Sequence, residues 1–256
     1  MFTPDDLEII KDSPGIRRNL LNVEISQISK LYLNTYNEYS KILKTRNEYL
    51  KTIFNSQNPN YIYLDTITDK LIEKAVIIYQ KRKEYINLIN KKINYYFYEL
   101  SGFNNLNIKY IPNIDFLSFD SIDIEKKLKD VFKNNLNKEI TYGMTLYGPH
   151  RDDFIFEIDN NDLKFYGSQG QQKLAILSFK LSEIDIFKNV KNSVPILLFD
   201  DIFGELDIKK RNKLLNIINQ ENIQSIITTT DINNINKKYL KDALIYIVKD
   251  GNIERR

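Results

Sequence analysis

The sequence contains no cysteine, a single histidine and no long apolar run. Without cysteine the chain can form neither disulfide bonds nor thiolate metal sites, so nothing argues for an oxidising, secreted setting. No stretch approaches the roughly 20 apolar residues of a membrane-spanning helix. The first residues also lack the basic segment and apolar core of a signal peptide. We therefore expect a cytoplasmic protein that makes no use of a membrane.

Net charge is also nearly absent, because 37 Lys and Arg residues face 34 Asp and Glu residues and leave a formal charge of +3. Net charge alone therefore does not predict nucleic-acid binding, and a basic run such as Lys81-Arg82-Lys83 is first interpreted as a solvated helix face. At 256 residues, the chain can bury a substantial core in one large domain or two modest ones.

Helical periodicity dominates residues 1–140. Ser13 and Pro14 suit the N-cap and first position of a helix. The Asn58-Pro59-Asn60 break separates two long amphipathic segments, so these should form an antiparallel helix hairpin. We expect a mainly helical lobe with helices at about 13–27, 31–56, 62–101 and 121–137.

From residue 141 to residue 256 the pattern changes to short apolar strands that alternate with helices, which is typical of α/β layers. The wholly apolar segment Ile196–Phe199 predicts a parallel strand that is buried on both faces. We expect further strands near 107–111, 154–158, 163–165, 225–229 and 243–248, and helices over 169–188 and 207–218.

Two neighbouring features in this second lobe predict half of a nucleotide site. Gly167, Ser168 and Gly170 precede a helix, whose first N–H groups and dipole attract phosphate. Asp200 and Asp201 follow an apolar strand, where carboxylates can hold Mg²⁺ through water or orient a nucleophilic water.

The other half of such a site has no counterpart in this chain. A phosphate-binding loop requires G-x-x-x-x-G-K-[ST], in which the lysine reaches the phosphates and the hydroxyl binds Mg²⁺. None of the eight glycines stands in that pattern, and the pair Gly143 and Gly148 is followed by Pro149-His150 instead of Lys and Ser or Thr. We therefore predict that the chain by itself does not hydrolyse ATP at a measurable rate.

Four motifs together resemble the RecF family of SMC/ABC-type ATPase heads. In chain order they are a family motif, a signature turn, a Walker B strand with its D-loop, and a switch. Because they are distributed along the second lobe in register, the resemblance implies the C-terminal part of an ABC-type head with an α-helical lid or arm subdomain. The motifs are YGPHRDD at 147–153, GSQGQQ at 167–172, LFDDIFGELD at 198–207 and ITTTD at 227–231.

The resemblance implies a function in recombinational repair, replication-fork maintenance and the SOS response. Members of the family bind gapped DNA or junctions of single-stranded and double-stranded DNA. They dimerise around ATP and Mg²⁺ and help RecO-like and RecR-like proteins to load recombinase. These properties are what the resemblance implies for a chain that also contains the phosphate-binding loop.

By the same resemblance, Ser168 and Gly170 would meet the γ-phosphate of ATP held by a partner subunit. Asp200 would bind Mg²⁺ through water, and Asp201, where most ABC heads have Glu, would orient or deprotonate the attacking water. Thr230 stands where many relatives have a histidine. The implied set is completed by Gln169 and Gln171 in the signature turn, Gly204, Glu205, Leu206 and Asp207 in the D-loop, and Asp231 in the switch.

The run around His150 has two interpretations. With Arg151, Asp152 and Asp153 it could form a metal or general-base cluster, or it could form a hydrogen-bonded turn network. Since the run matches a family motif, Arg151 is also a candidate contact for nucleotide or DNA.

Two alternative functions remain open at this point. The chain could be a non-catalytic module that binds DNA or protein partners without nucleotide, or a head fragment of another SMC/ABC-type ATPase. A nucleotide effect on DNA binding would distinguish the ATP-dependent protein from the module.

Overall fold

The computed structural model describes residues 1–54, 56–220, 223–230, 232, 235–241 and 243–255, without the side chains of Pro4 and Glu205. The chain divides into two compact units. Unit 1 comprises Met1–Leu7, Ile93–Asn104 and Gln169–Arg256, and unit 2 comprises Glu8–Lys92 and Asn105–Ser168. Both units therefore combine segments that are distant in sequence. The contiguous lobes 1–140 and 141–256 stay a prediction, since they rest on a change of hydrophobic pattern along the sequence.

Helices predominate among the described residues, and the strands are short. None of the helices described is long and apolar enough to cross a membrane. In chain order the elements are α1 (Glu8–Lys11), α2 (Pro14–Ile28), α3 (Lys30–Phe54), α4 (Tyr61–Asn90), α5 (Ile93–Ser101), β1 (Leu106–Ile111), α6 (Ser121–Tyr142), β2 (Asp153–Ile158), β3 (Asn161–Asp162), α7 (Leu163–Tyr166), α8 (Gln169–Lys191), β4 (Leu197–Phe199), α9 (Ile208–Gln220), β5 (Ser225–Ile227), α10 (Lys237–Leu240), β6 (Tyr246–Lys249) and β7 (Asn252–Arg255).

In unit 2, α3 and α4 form the antiparallel hairpin that the sequence predicts. Near its tip the Tyr49 and Tyr63 rings meet edge to face with centroids 4.7 Å apart. Asn60 caps α4, because its side chain accepts a hydrogen bond from the Tyr63 N–H at 3.0 Å. The buried faces of both helices follow helical spacing. They include Tyr32, Tyr39 and Leu50 on α3, and Leu64, Leu71 and Ile78 on α4.

The helix expected over 62–101 is instead two helices, because α4 ends at Asn90 and α5 begins at Ile93. The Asn90 side chain pairs with the backbone of Ile108 on β1, donating to its oxygen and accepting from its N–H, both at 2.8 Å. Apolar residues continue through the break, so the periodicity does not show it. A tertiary hydrogen bond that local sequence cannot reveal lies at the end of the helix.

The sheet of unit 2 is antiparallel. Strand β1 pairs with β2 from Leu106 opposite Ile158 to Ile111 opposite Asp153. The strand expected at 163–165 is instead the short helix α7, because the Asp162 side chain accepts a hydrogen bond from the Lys164 N–H at 2.8 Å and caps a helical turn.

In unit 1, α8 packs against α5, and the Tyr96 hydroxyl donates to Asp185 at 3.0 Å. The N-terminal residues lie along β4, since the Phe2 N–H donates to the Leu198 oxygen at 2.7 Å and the Asp200 N–H donates to the Phe2 oxygen at 3.0 Å. On its other side β4 pairs with β5. The end of β4 is therefore held from both sides.

Strands β4 and β5 pair in parallel as expected. The prediction that β4 is buried on both faces is wrong. Ile196 is 55% exposed and Leu198 is 39% exposed. Leu198 lies opposite Ile226, which is 57% exposed. No described element covers this face of the strand pair, so an apolar sequence here does not correspond to a buried strand.

Candidate nucleotide site

The acidic pair lies directly after β4 in unit 1. Asp200 and Asp201 are both exposed, and neither makes an ion pair among the described residues. Because β4 and β5 are parallel, their carboxyl ends lie at one edge of the sheet, which is where open α/β sheets place ligands. Two exposed carboxylates at such an edge are available to water or a cation.

Thr228 follows β5 and joins the acidic pair. Its hydroxyl donates to Asp200 Oδ1 at 2.6 Å and accepts a hydrogen bond from the Asp201 N–H at 3.0 Å. Its own N–H donates to the Phe199 oxygen at 2.9 Å. The sequence motifs point to Thr230 and not to Thr228. Its position in the sequence could have indicated Thr228, because it follows β5 as Asp200 follows β4.

Asp201 has a left-handed backbone, with φ 47° and ψ 25°. Few residues with a side chain adopt this region, and Asp and Asn do so more readily than others. An aspartate is therefore a favourable acid at this position, where a longer side chain would lose that local advantage. Left-handed residues that are not glycine are frequent at functional sites.

The predicted D-loop follows as a tight turn in which the Gly204 N–H donates to the Asp201 oxygen at 3.2 Å. Leu206 is buried. Asp207 caps α9 by accepting from the Lys210 N–H at 2.9 Å, and a hydrogen bond from the Lys210 side chain lowers the pKa of its carboxyl group. Asp207 is thus occupied by the helix start. The Glu205 side chain and the whole of Asp231 lie outside the described residues.

The predicted signature turn has two glycines in different surroundings. A Cβ on Gly167 would lie 2.7 Å from the Leu163 oxygen and 2.6 Å from its Cδ1, so the turn itself requires glycine. A Cβ on Gly170 would meet nothing within 4 Å. Gly170 is therefore not required by internal packing, and its lack of a side chain leaves the backbone open to close approach. Ser168 and Gln169 are exposed beside it, and Gln171 is half-buried.

In unit 2, His150 belongs to a hydrogen-bonded turn. Its Nδ1 lies 2.6 Å from the Tyr39 hydroxyl and its Nε2 lies 3.1 Å from the Thr145 oxygen. A carbonyl can only accept, so Nε2 carries the proton and Nδ1 accepts from Tyr39. Burial lowers the pKa of His150 to about 4. Both ring nitrogens are engaged, which favours the turn network over the metal cluster.

The neighbouring acids are bound by arginines. Asp152 is buried and accepts from Arg82 at 2.9 Å and from the hydroxyl of Tyr110. Asp153 binds Arg17 through two hydrogen bonds of 2.7 and 2.8 Å. Burial raises the pKa of Asp152, and Arg82 opposes that shift. Asp152 and Asp153 therefore have a structural role.

Two further arginines lie beside this network and bind no carboxylate among the described residues. Arg151 is exposed, and its guanidinium donates to the Met144 sulfur at 3.3 Å. Arg18 donates to the backbone oxygen of Asp152 at 2.9 Å. Burial lowers the pKa of Arg18, Asp153 and Asp152 oppose that shift, and Arg82 and Arg151 add to it. Neither forms an ion pair within the described part of the chain. Their surplus positive charge suits an anionic ligand.

No cluster of three or more His, Asp or Glu side chains that could hold a metal is present among the described residues. Asp200 and Asp201 still fit Mg²⁺ in one common arrangement, since this ion keeps several waters and often binds one or two carboxylates plus substrate phosphates. Such a site is completed by a nucleotide and not by protein side chains alone.

No family model matches the chain, but individual proteins do. It is 37% identical over 257 residues to the DNA replication and repair protein RecF of Shouchella clausii, with 100% of this chain and 69% of that protein covered. The Bacillus subtilis protein of the same name is 37% identical over 255 residues, with 98% and 68% covered. The chain thus spans about two thirds of the length of these curated relatives.

Solved structures agree with this relationship. A structure of the recombination mediator protein RecF with ATP in the RecFOR pathway has a TM-score of 0.85 and 31% identity, covering 100% of this chain and 66% of that one. An Smc head domain from Pyrococcus furiosus has a TM-score of 0.52 at 14% identity, covering 99% and 60%, and supports the fold alone. The predicted fold class, part of an ABC-type ATPase head, is confirmed.

Proposed function

The chain belongs to the RecF family of DNA replication and repair proteins, and from this premise we propose that it is an ATP-responsive DNA-binding protein of recombinational repair. The observation that carries the proposal is the arrangement at the ends of β4 and β5, where Asp200, Asp201 and Thr228 meet. In a relative of RecF, two exposed aspartates at this edge of the sheet provide the carboxylate half of a nucleotide site.

In a site that also has the phosphate-binding loop, Asp200 would hold Mg²⁺ through water, and Asp201 would orient the water that attacks the γ-phosphate. When bound, Mg²⁺ neutralises charge on the phosphates. The two carboxylates are suited to these roles because they are exposed and make no ion pair among the described residues. Thr230 and Asp231 would act as the switch, and Gly204 to Asp207 as the D-loop.

The signature turn acts on a nucleotide held by another subunit. Ser168 and the Gly170 N–H would approach the γ-phosphate of that ATP, so that nucleotide joins two subunits into a dimer. The open space at Gly170 supports this role. Because the chain has no G-x-x-x-x-G-K-[ST] pattern, we expect it to complete the site of an intact RecF subunit without hydrolysing ATP alone.

The DNA partner would be gapped DNA or a junction of single and double strands. Arg151, with Arg18 beside it, is the proposed phosphate contact, because its charge is exposed and has no ion pair among the described residues. RecO-like and RecR-like proteins are proposed as partners, since the solved RecF relative belongs to the RecFOR pathway.

Sedimentation of the fluorescently labelled chain with the intact Bacillus subtilis RecF tests the nucleotide part. With ATP and Mg²⁺ we expect a complex that is absent without nucleotide. Ser168→Arg should abolish it by filling the signature turn, whereas Ser40→Arg, on the exposed surface of α3, should not. Complex formation that does not depend on nucleotide would contradict the proposal and favour the non-catalytic module.

Anisotropy titration of a labelled gapped duplex tests the DNA part. Arg151→Ala should weaken binding and reduce the salt slope by about 1, as expected for one lost phosphate contact. Lys129→Ala is the matched control, since Lys129 is exposed and paired with Glu125 at 2.6 Å. Equal effects of both substitutions would show that Arg151 is not a specific contact.

A further inference from the structure

The hydroxyl of Thr228 makes two hydrogen bonds at the acidic edge of unit 1, one to each aspartate. It donates to Asp200 Oδ1 at 2.6 Å and accepts from the Asp201 N–H at 3.0 Å. A threonine hydroxyl has one proton to donate and two lone pairs to accept, so both bonds can form at once. One side chain that directly follows β5 therefore contacts both acids that follow β4.

The two bonds have different consequences. The bond to Asp200 holds one carboxylate oxygen and leaves Oδ2 available to an incoming ligand. The bond to Asp201 holds a backbone that is left-handed, with φ 47°, a strained conformation that persists where surrounding contacts maintain it. Without the hydroxyl, both the Asp200 carboxylate and the Asp201 backbone would gain freedom.

We propose that Thr228 is the positioning residue of the acidic pair, linking the end of β5 to the carboxylates that receive the metal and the water. It also connects these acids to Thr230, two residues further along the chain. A ligand that moves the segment after β5 would therefore move both carboxylates with it. The functional part of this inference rests on the proposed nucleotide site, whereas the structural part does not.

A purely local role is the competing explanation. In that case Thr228 satisfies nearby backbone groups, and its methyl group rather than its hydroxyl supports the strand. Thr228→Val and Thr228→Ser separate the two, because valine keeps the shape and loses the hydroxyl, while serine keeps the hydroxyl and loses the methyl group. Serine should behave like the native chain if the hydroxyl is the essential group.

Amide hydrogen exchange by NMR measures the positioning in the chain as it is. In Thr228→Val the Asp201 amide should exchange about fivefold faster, because it loses a hydrogen bond worth about 1 kcal/mol. The Thr228 amide is the internal reference, since it donates to the Phe199 oxygen at 2.9 Å and should keep its protection. In Thr228→Ser both amides should exchange as in the native chain.

A Mn²⁺ titration that follows broadening of the Asp200 and Asp201 amide signals tests the role toward a metal. Thr228→Val should require several-fold more Mn²⁺ for the same broadening, and Thr228→Ser should not. Unchanged Asp201 exchange in Thr228→Val would overturn the proposal, as would equal losses in both variants. If Mn²⁺ causes no broadening in the native chain, the proposed metal site fails, and the exchange experiment still decides the positioning role of Thr228.

Discussion

The chain contains two pairs of adjacent aspartates that differ in almost every physical respect. Asp152 and Asp153 in unit 2 are bound by Arg82 and Arg17. Asp200 and Asp201 in unit 1 are exposed and make no ion pair among the described residues. The same two-residue sequence thus forms part of a buried network in one place and an open edge in the other.

The difference shows how surroundings decide the use of a carboxylate. A buried charge costs several kcal/mol to desolvate and needs ionic and hydrogen-bonding partners to remain. Asp152 has those partners and is unavailable to a ligand. Asp200 has one hydroxyl partner at 2.6 Å and keeps its solvent access, so it can bind water or a cation. An acidic pair in a sequence is therefore a candidate site only where the fold leaves it open.

The largest expected effect comes from breaking the buried pair. Arg82→Met should lower the free energy of unfolding by about 3–5 kcal/mol, because it leaves the Asp152 charge buried without its cation. Urea denaturation followed by circular dichroism measures this loss. Lys129→Met removes an exposed ion pair and should cost less than about 1 kcal/mol. Similar losses in both variants would contradict the structural role of Arg82.

His150 should make unit 2 sensitive to acid. Burial lowers its folded pKa to about 4 from the ordinary 6.5, so the unfolded state binds the proton more readily. The corresponding stability is present above pH 6.5 and is lost as the pH falls toward 4. The loss should approach about 3 kcal/mol. Urea titrations from pH 7 to pH 4 should show a steeper decline for the native chain than for His150→Gln, and equal slopes would disprove this effect.

The two glycines of the signature turn differ in the free space around them, as the two aspartate pairs differ in burial and ion pairing. Gly167→Ala should destabilise the chain by about 1–3 kcal/mol, because the new Cβ would overlap the Leu163 backbone. Gly170→Ala should be neutral or stabilise by up to about 1 kcal/mol, since its Cβ has free space in a helix. Thermal unfolding of both variants measures the contrast. A destabilised Gly170→Ala would show that the fold itself needs that glycine.

The smallest expected effect on stability lies at the open pair. Asp200→Asn and Asp201→Asn should change the free energy of unfolding by no more than about 0.5 kcal/mol, because both side chains are exposed. The native chain alone should show no ATP hydrolysis in a phosphate-release assay. Hydrolysis that Asp201→Asn abolished would refute the view that this chain has only half of a site.

Several features that depend on neighbouring residues were predictable from the sequence. The helix expected over 207–218 is present as α9, and Asp207 caps it by accepting from the Lys210 N–H. The parallel strands β4 and β5 were also expected. The break after Asn90 was not predictable, because it coincides with a bond to Ile108 on a distant strand. The two hydrogen bonds of the Thr228 hydroxyl were not predictable for the same reason, since their partners lie 27 and 28 residues earlier, and only its position after β5 was visible in the sequence.

By itself, the sequence determined the order of the motifs, the helices α8 and α9 and the parallel strands β4 and β5 beside them, and the absence of a phosphate-binding loop pattern from these 256 residues. These properties depend on periodicity and residue spacing, which are local. Tertiary structure alone decided which aspartates are open, because burial and arginine partners come from segments far apart in the chain. It also assigned Thr228 to the acidic edge, since only strand pairing places one strand end beside another.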